Sequence, residues 1–394
     1  MARALTGVEV PAGDDVVHSL LPRLAAALDG SGPAVLPLPP DPAQRERVVA
    51  ALRPDDPAAP LERDDVALVV PTTGSTGEPK GALLTAAALT ASGQATHDRL
   101  GGPGRWLLAM PATHIAGLQV LLRSLLAGTT PTVLDLADGF TAEGFVSATE
   151  HLRSYGSSER SYTALVPTQL SRVLASDAGA RALASYDAVL LGGAAAPAPL
   201  LEQARSAGVR VLTTYGMSET CGGCVYDGQP LDGVEVEIGD DGRIRLGGPT
   251  VFAGYRLRPD LTATALVDGR HVTNDLGRLR ADGTLEVLGR ADDVVVTGGE
   301  KVALPLVEAA LLTHPGVREA AATAVPDPEW GQKVVAVVVA DPAPTLQDLR
   351  ATVAARAGRV AAPRALVVVD ALPLTANGKV DRRALPHLVI MHEM

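Results

Sequence analysis

The sequence predicts an α/β protein. A large N-terminal domain of mixed sheets and helices carries a small β-rich subdomain, and a small α+β C-terminal domain follows. Three observations predict it. Up to about residue 230, short apolar runs alternate with helix-like stretches. From Val234, short strands and Gly-rich turns take over. After Arg290, a helix, two strands and a second helix follow in about 100 residues. At about 150 residues per domain, 394 residues also suit two or three domains.

Taken in order, residues 54–60 are rich in Pro and Asp and read as a loop. A strand over 67–70 leads into a Gly-rich loop and then a helix. Thr85 is the natural N-cap of that Ala-rich helix, because its hydroxyl can accept from an unpaired first-turn N–H. A strand at 107–110 precedes a helical stretch at 118–126. Strands at 164–166, 189–191 and 209–212 repeat the alternation. Strands at 234–238 and 243–246 flank Asp240-Asp241-Gly242, a hairpin turn signal. Beyond it a helix is expected at 305–312, strands at 320–325 and 333–340, and a helix at 345–357. The shift in composition sets the domains at 1–291 and 292–394.

Composition narrows the function. With 46% hydrophobic and 20% charged residues the chain can offset its conformational entropy, so disorder is excluded as the main state. Aromatics are only 3%, so the core must be built from Ala, Val and Leu. A net charge of -11 argues against a nucleic-acid partner, and any phosphate site must be locally positive. No apolar run approaches the ~18 residues needed to span a bilayer, so no membrane insertion is expected. The opening MARALTGVEV lacks an apolar core, and His18, Pro22 and Arg23 interrupt the next apolar stretch. It reads as no signal peptide, and a cytoplasmic protein is expected. Two cysteines are too few for a disulfide framework.

Four segments carry candidate chemistry. The first contains Thr72, Thr73, Gly74, Ser75, Thr76, Gly77 and Lys80. Glycines let backbone N–H groups approach an anion, hydroxyls add donors and lysine adds charge, as in a polyphosphate cradle between strand and helix. It is not a Walker A loop, since Lys80 does not follow Gly77 directly. Alone it is equally a polar surface loop. The second contains Thr214, Tyr215, Gly216, Met217, Ser218 and Glu219 after an apolar strand, where α/β folds place ligands. Tyr215 offers a flat face for a base and Glu219 a hard oxygen for Mg²⁺. The third holds Asn274-Asp275 and Arg290-Ala291-Asp292. Asp275 can accept from ribose hydroxyls, and Arg290 adds charge toward phosphate. The fourth is Asn377-Gly378-Lys379, a tight turn presenting a lysine. Each of these also reads as an ordinary charged turn. Cys221-Gly222-Gly223-Cys224 lacks the further ligands that zinc needs and reads better as small residues lining a crevice. His114, after a strand, is either a core histidine or a pocket wall.

All these segments occur together and in one order. From about Val66 to Leu385 the chain resembles the adenylate-forming superfamily of acyl-CoA synthetases, adenylation domains and luciferases. Within it the chain is most similar to the 2-succinylbenzoate–CoA ligases of menaquinone synthesis. The stretches His114-Ile115-Ala116-Gly117-Leu118, Tyr215-Gly216-Met217-Ser218-Glu219-Thr220-Cys221 and Thr297-Gly298-Gly299-Glu300-Lys301-Val302 carry that likeness. Ser218, Asn274 and Lys301 depart from the commoner Thr, Gly and Asn.

The resemblance implies an enzyme that uses ATP, Mg²⁺ and coenzyme A as co-substrate. A carboxylic acid attacks ATP to give an acyl-adenylate, and the CoA thiol then displaces AMP. It implies that Lys379, Glu219 and His114 are catalytic, with Glu219 on the metal. Residues 72–77 and Lys80 would hold phosphates. Tyr215 would sandwich adenine against Gly193, Ala194 and Ala195, with Thr214, Gly216, Met217 and Ser218 beside the nucleotide. Asp275 and Arg290 would hold the ribose end. His114, Thr168, Gln169, Gly192 and Gly193 would wall the acid pocket. Asp292 would be the hinge of a mobile C-terminal domain, and Gly298 and Gly299 the loop used in the thioester step. A homodimer is the family habit. Competing expectations are another aryl or acyl acid–CoA ligase, an enzyme that loads a carrier protein, and a nucleotide-binding protein that has lost catalysis.

Overall fold

The computed structural model describes residues 3–73, 78–156, 159–374 and 380–393. By packing, the chain forms two units. One comprises Met1–Glu237, Arg245–Val272 and Ala281–Leu285, and the other Ile238–Ile244, Thr273–Arg280 and Glu286–Met394.

The first unit begins with a four-stranded sheet, β1 (Leu5–Glu9), β2 (Ala34–Leu38), β3 (Val66–Thr73) and β4 (Pro79–Thr85), in that spatial order. Helices α1 (Asp15–Leu28) and α2 (Pro42–Leu52) make its crossovers. Asp41 caps α2 by accepting from the Gln44 N–H at 2.8 Å, with Pro42 pre-set at the first position. The phosphate-loop segment departs from expectation here. It joins two antiparallel strands, with Thr72 opposite Lys80 and Thr73 opposite Pro79, rather than a strand and a helix. The reason is the buried run Ala82-Leu83-Leu84, which pairs with β3 before the chain can turn helical. Thr85 then caps α3 (Ala86–Leu100) as expected, accepting from Ala88 N at 3.1 Å.

The second sheet of this unit has β5 (Arg105–Leu108), β6 (Thr132–Val133), β7 (Ser161–Leu165), β8 (Ala188–Leu191), β9 (Val211–Met217), β10 (Gly222–Tyr226) and β11 (Gln229–Pro230). Their order is β11-β10-β9-β8-β7-β5-β6. From β6 to β9 the neighbours are parallel, and β9–β10 and β10–β11 are antiparallel. Helices α4 (Ile115–Leu126), α5 (Ala142–Ser154), α6 (Pro167–Leu174), α7 (Asp177–Ala184) and α8 (Ala198–Ser206) accompany the parallel strands. Val189, Leu190 and Leu191 are all buried, as strands covered on both faces require.

A β-rich stretch follows, with β12 (Glu235–Ile238), β13 (Arg243–Gly247), α9 (Pro259–Ala265), β14 (Leu266–Val267), β15 (Arg270–Leu279) and β16 (Leu285–Arg290). The expected turn is present: Gly239 N–H donates to Arg243 O at 2.9 Å, and Gly242 takes φ 81°.

The second unit continues with the hairpin β17 (Val294–Thr297) and β18 (Glu300–Ala303), then α10 (Leu304–Leu311), β19 (Val317–Asp327), β20 (Gly331–Ala340), α11 (Leu346–Ala357), β21 (Ala365–Val368) and α12 (Leu385–Glu393). Its three-stranded sheet has β20 in the centre. Alternate residues of β20 face opposite layers. Val334, Ala336 and Val338 pack with Val307, Leu311 and Val353 of α10 and α11. Val335, Val337 and Val339 pack with Leu385 and Val389 of α12. That double cover is why the strand is apolar throughout rather than alternating. Among the described residues, no helix is long and apolar enough to cross a membrane.

Candidate active site

In the first unit, the hairpin of β3 and β4 is held from outside by residues 252–256. Leu83 N–H donates to Gly254 O at 2.9 Å, Ala253 N–H to Leu83 O at 2.8 Å, and Arg256 N–H to Gly81 O at 2.8 Å. Arg256 is 1% exposed. Its guanidinium donates to the carbonyls of Leu52 (2.6 Å), Ala59 (2.5 Å), Pro60 (3.1 Å) and Arg53 (3.2 Å) and pairs with Glu62 at 3.3 Å. One buried cation therefore fixes the loop 53–62 and the hairpin base together.

This places Tyr255. Its hydroxyl donates to Glu219 Oε1 at 2.6 Å, and the Lys80 ammonium lies 4.8 Å from its ring centroid. Phe252 N–H also donates to the Glu219 carbonyl at 2.8 Å. Lys80 of β4 and Glu219 of the segment after β9 thus both meet the Tyr255 phenol. Burial, and then the neighbouring Glu219 carboxylate, push the Tyr255 phenol up, so it remains a proton donor.

Glu219 sits in a short turn, Ser218–Thr220, after Thr214, Tyr215, Gly216 and Met217 at the end of β9. Gly216 is required there, since a Cβ would lie 2.0 Å from Gly222 O. Cys221 closes the turn in the left-handed region at φ 54°. Its carbonyl is clamped by Ser92 Oγ (3.0 Å) and Gln119 Nε2 (2.7 Å), both buried. Such bonds hold a conformation that costs a non-glycine residue about 1–2 kcal/mol. Both cysteines are fully buried and unbridged rather than lining the crevice. Burial pushes both thiols up, Cys224 to about 12, which makes them inert packing groups.

At the neighbouring strand end, Thr214 Oγ1 donates to Leu191 O at 3.3 Å. A side chain at Gly192 would meet that hydroxyl at 2.4 Å, and Gly193 has φ 80°. Gly193, Ala194 and Ala195, after β8, are exposed, and Tyr215 in the neighbouring β9 is half-buried. His114 occupies the N-cap of α4 and is exposed, so it is not a core histidine. Thr168 is exposed in the first turn of α6. Gln169 is tied to backbone at both ends of its amide: it accepts from Val166 N (3.0 Å) and donates to Ala109 O (3.0 Å).

In the second unit, Arg290 lies 3.9 Å from Asp275 and 3.4 Å from Asp292. Asn274 donates to Asp292. That bond first, and Arg290 second, hold the Asp292 carboxyl below the usual carboxylate range. Thr297 pairs with Glu300 across Gly298-Gly299, whose φ values of 58° and 83° suit a two-residue hairpin turn. Gly298 N–H donates to Trp330 O at 3.0 Å, and a Cβ at Gly298 would meet the Trp330 ring at 2.8 Å. Leu374 and Val380 form an antiparallel bridge. Lys379 lies outside the described residues, as do Gly74, Ser75, Thr76, Gly77 and the side chain of Thr73.

Sequence reasoning overlooked Tyr255 and Arg256. The one available signal was Gly254-Tyr255-Arg256, with one of only 6 tyrosines in the chain.

Comparison with known proteins agrees with this arrangement. Residues 15–256 match the AMP-binding enzyme family and residues 306–379 the AMP-binding enzyme C-terminal domain. The chain is 50% identical over 388 residues to a protein named probable 2-succinylbenzoate–CoA ligase of Mycobacterium tuberculosis, covering 97% of each. It is 35% identical to 2-succinylbenzoate–CoA ligase of Bacillus velezensis, covering 84% of this chain and 71% of that one. Among solved structures, it superposes on o-succinylbenzoate CoA synthetase (MenE) of Bacillus subtilis in complex with the acyl-adenylate intermediate OSB-AMP. There the TM-score is 0.74 and the identity 27%, over 98% of this chain and 88% of that one. It also superposes on the amide bond synthetase McbA of Marinactinospora thermotolerans, with a TM-score of 0.83 and 27% identity over 98% and 90%. A chain that matches the AMP-binding enzyme family over residues 15–256, and is 50% identical to a probable 2-succinylbenzoate–CoA ligase over 97% of each chain, belongs to the AMP-binding, adenylate-forming enzymes, in the family of the 2-succinylbenzoate–CoA ligases.

Proposed function

We propose that this chain joins 2-succinylbenzoate to coenzyme A in menaquinone biosynthesis, through an acyl-adenylate. A carboxylate oxygen attacks the α-phosphorus of ATP, the bond to the β-phosphate breaks, and pyrophosphate leaves. The CoA sulfur then forms a bond to the acyl carbon, and AMP departs with the oxygen. The observation that carries this reading is the meeting of Lys80, Tyr255 and Glu219, which sets a cation and a hard carboxylate on one phenol.

The chemistry explains the parts. Acid and ATP are both anions and repel, so positive charge must be supplied where they meet. Residues 72–77 and Lys80 would take the β- and γ-phosphates, a positive spot on a chain of net charge -11. Glu219 would hold Mg²⁺ together with those phosphates. The donor set fits, because Mg²⁺ is usually held by one or two carboxylates plus phosphate, and Glu219 offers one such carboxylate, already oriented by Tyr255. When bound, Mg²⁺ supplies charge neutralisation on the phosphates. Tyr215 with Gly193, Ala194 and Ala195 would cover adenine, and Asp275 with Arg290 would take the ribose end. His114, Thr168, Gly192 and Gly193 would border the acid, with Gln169 holding the wall. Lys379 would bridge acid and α-phosphate.

Residues 1–291 are assigned the nucleotide and acid sites, and 292–394 the mobile part, turning at Asp292. The proposal includes a homodimer in the cytoplasm, where ATP, Mg²⁺ and reduced CoA are at hand. Sedimentation and cell fractionation check these two statements. The reaction is tested by mass detection of acyl-AMP from ATP and 2-succinylbenzoate, followed by CoA addition. Turnover of benzoates or fatty acids, with none of 2-succinylbenzoate, would overturn the substrate assignment.

A separate result tests the second step. Gly299 takes φ 83°, and nothing lies within 4 Å of a Cβ there. Gly299→Trp should leave the fold intact at a local cost of about 1–2 kcal/mol. It should slow thioester formation from preformed acyl-AMP about tenfold while changing adenylation less. The reverse ordering would remove this turn from the thioester step.

A further inference from the structure

We propose that Tyr255 is a positioning residue that keeps Lys80 and Glu219 from neutralising each other, and so holds both ready for magnesium-bound nucleotide. The proposal rests on the reading above, in which Glu219 serves the metal and Lys80 the phosphates.

An ammonium and a carboxylate beside one buried phenol attract strongly. Paired directly, each would use up the charge that its ligand needs. Here both groups meet the phenol instead, the ammonium over the ring and the carboxylate at the hydroxyl. The Lys80 ammonium lies against the ring, 4.8 Å from its centroid, and Glu219 Oε1 accepts from the hydroxyl at 2.6 Å. Donating to a carboxylate makes the ring richer in electrons, which strengthens its hold on the cation. The contact with Lys80 is weak enough to exchange for phosphate. The bond to Glu219 occupies one carboxylate oxygen and fixes its orientation, so the other oxygen would serve a hard cation.

The ring itself cannot yield. Tyr255 is 5% exposed. Its N–H donates to Thr262 Oγ1 at 2.8 Å, and the Phe252 ring packs edge-on at 4.9 Å. Its chain neighbour Arg256 is anchored on four carbonyls. Rigid placement is what a spacer requires and what an incidental surface tyrosine lacks.

The test is calorimetric binding of α,β-methylene-ATP to the full chain across a Mg²⁺ series, which needs no turnover. Tyr255→Phe keeps the ring and its packing but loses the hydroxyl. The Mg²⁺ needed for half-maximal nucleotide binding should rise about tenfold, the usual consequence of losing one hydrogen bond to a charged group. Affinity at saturating Mg²⁺ should change less than about threefold, and the melting temperature should stay near wild type. Tyr255→Leu also removes the spacer, so affinity at saturating Mg²⁺ should fall too, about tenfold. A wild-type Mg²⁺ dependence in Tyr255→Phe, or identical profiles for the Phe and Leu variants, overturns the proposal. Glu219→Gln separates the two levels. If Glu219→Gln leaves the Mg²⁺ dependence unchanged, the metal role of Glu219 fails. If it shifts that dependence while Tyr255→Phe does not, only the spacer role fails.

Discussion

Lys379→Ala should lower the rate of adenylate formation by about 10²–10³-fold, the usual loss when one charge-stabilising donor is removed from a water-poor site. The thioester half-reaction, started from synthetic acyl-AMP, should survive far better. The asymmetry follows from where charge develops. In the first step an anionic acid approaches an anionic phosphate, and a cation is needed between them. In the second step a thiolate attacks a neutral acyl carbon, and its charge passes to the phosphate oxygen that departs with AMP. Pyrophosphate release measures the first step and CoA consumption the second. An unchanged adenylation rate would take Lys379 out of the mechanism.

Arg256→Ala should be among the most destabilising substitutions in the first unit. It strands four carbonyls, those of Leu52, Arg53, Ala59 and Pro60, and empties a site that is 1% exposed. Each unsatisfied acceptor costs roughly 1 kcal/mol or more, so a total of about 4 kcal/mol is expected. Urea unfolding should show a lower midpoint with an unchanged slope. Because Arg256 N–H also binds Gly81 O at the base of the phosphate hairpin, loosening of this segment should weaken ATP binding as well. A loss below about 1 kcal/mol would mean that water reaches and satisfies these carbonyls.

Much of the fold was legible. The expected strands overlap the observed ones, because apolar runs must be buried whatever their partners. Thr85 caps α3 as expected, because a cap depends only on the three residues that follow. The turn at Asp240-Asp241-Gly242 formed for the same local reason. The strand β4 escaped notice. Pro79, Lys80 and Gly81 are poor strand formers, and only pairing with β3 overrides them. The cysteines were misplaced because spacing says nothing of depth: Cys221 and Cys224 are fully buried.

The sequence by itself determined the chemical inventory: hydroxyls and glycines around Lys80, a carboxylate at Glu219, a tyrosine before it, and the order in which they come. It also determined many of the strands and helices beyond residue 66, β4 excepted, since periodicity and capping act within a few residues. The tertiary structure alone decided that Tyr255 reaches back 36 residues to Glu219 and Arg256 reaches back 204 residues to Leu52. Those contacts depend on how long loops close and on which face of a strand each side chain takes. Backbone torsions are set by near neighbours, whereas the meeting of a lysine, a phenol and a carboxylate is set by packing of the whole unit.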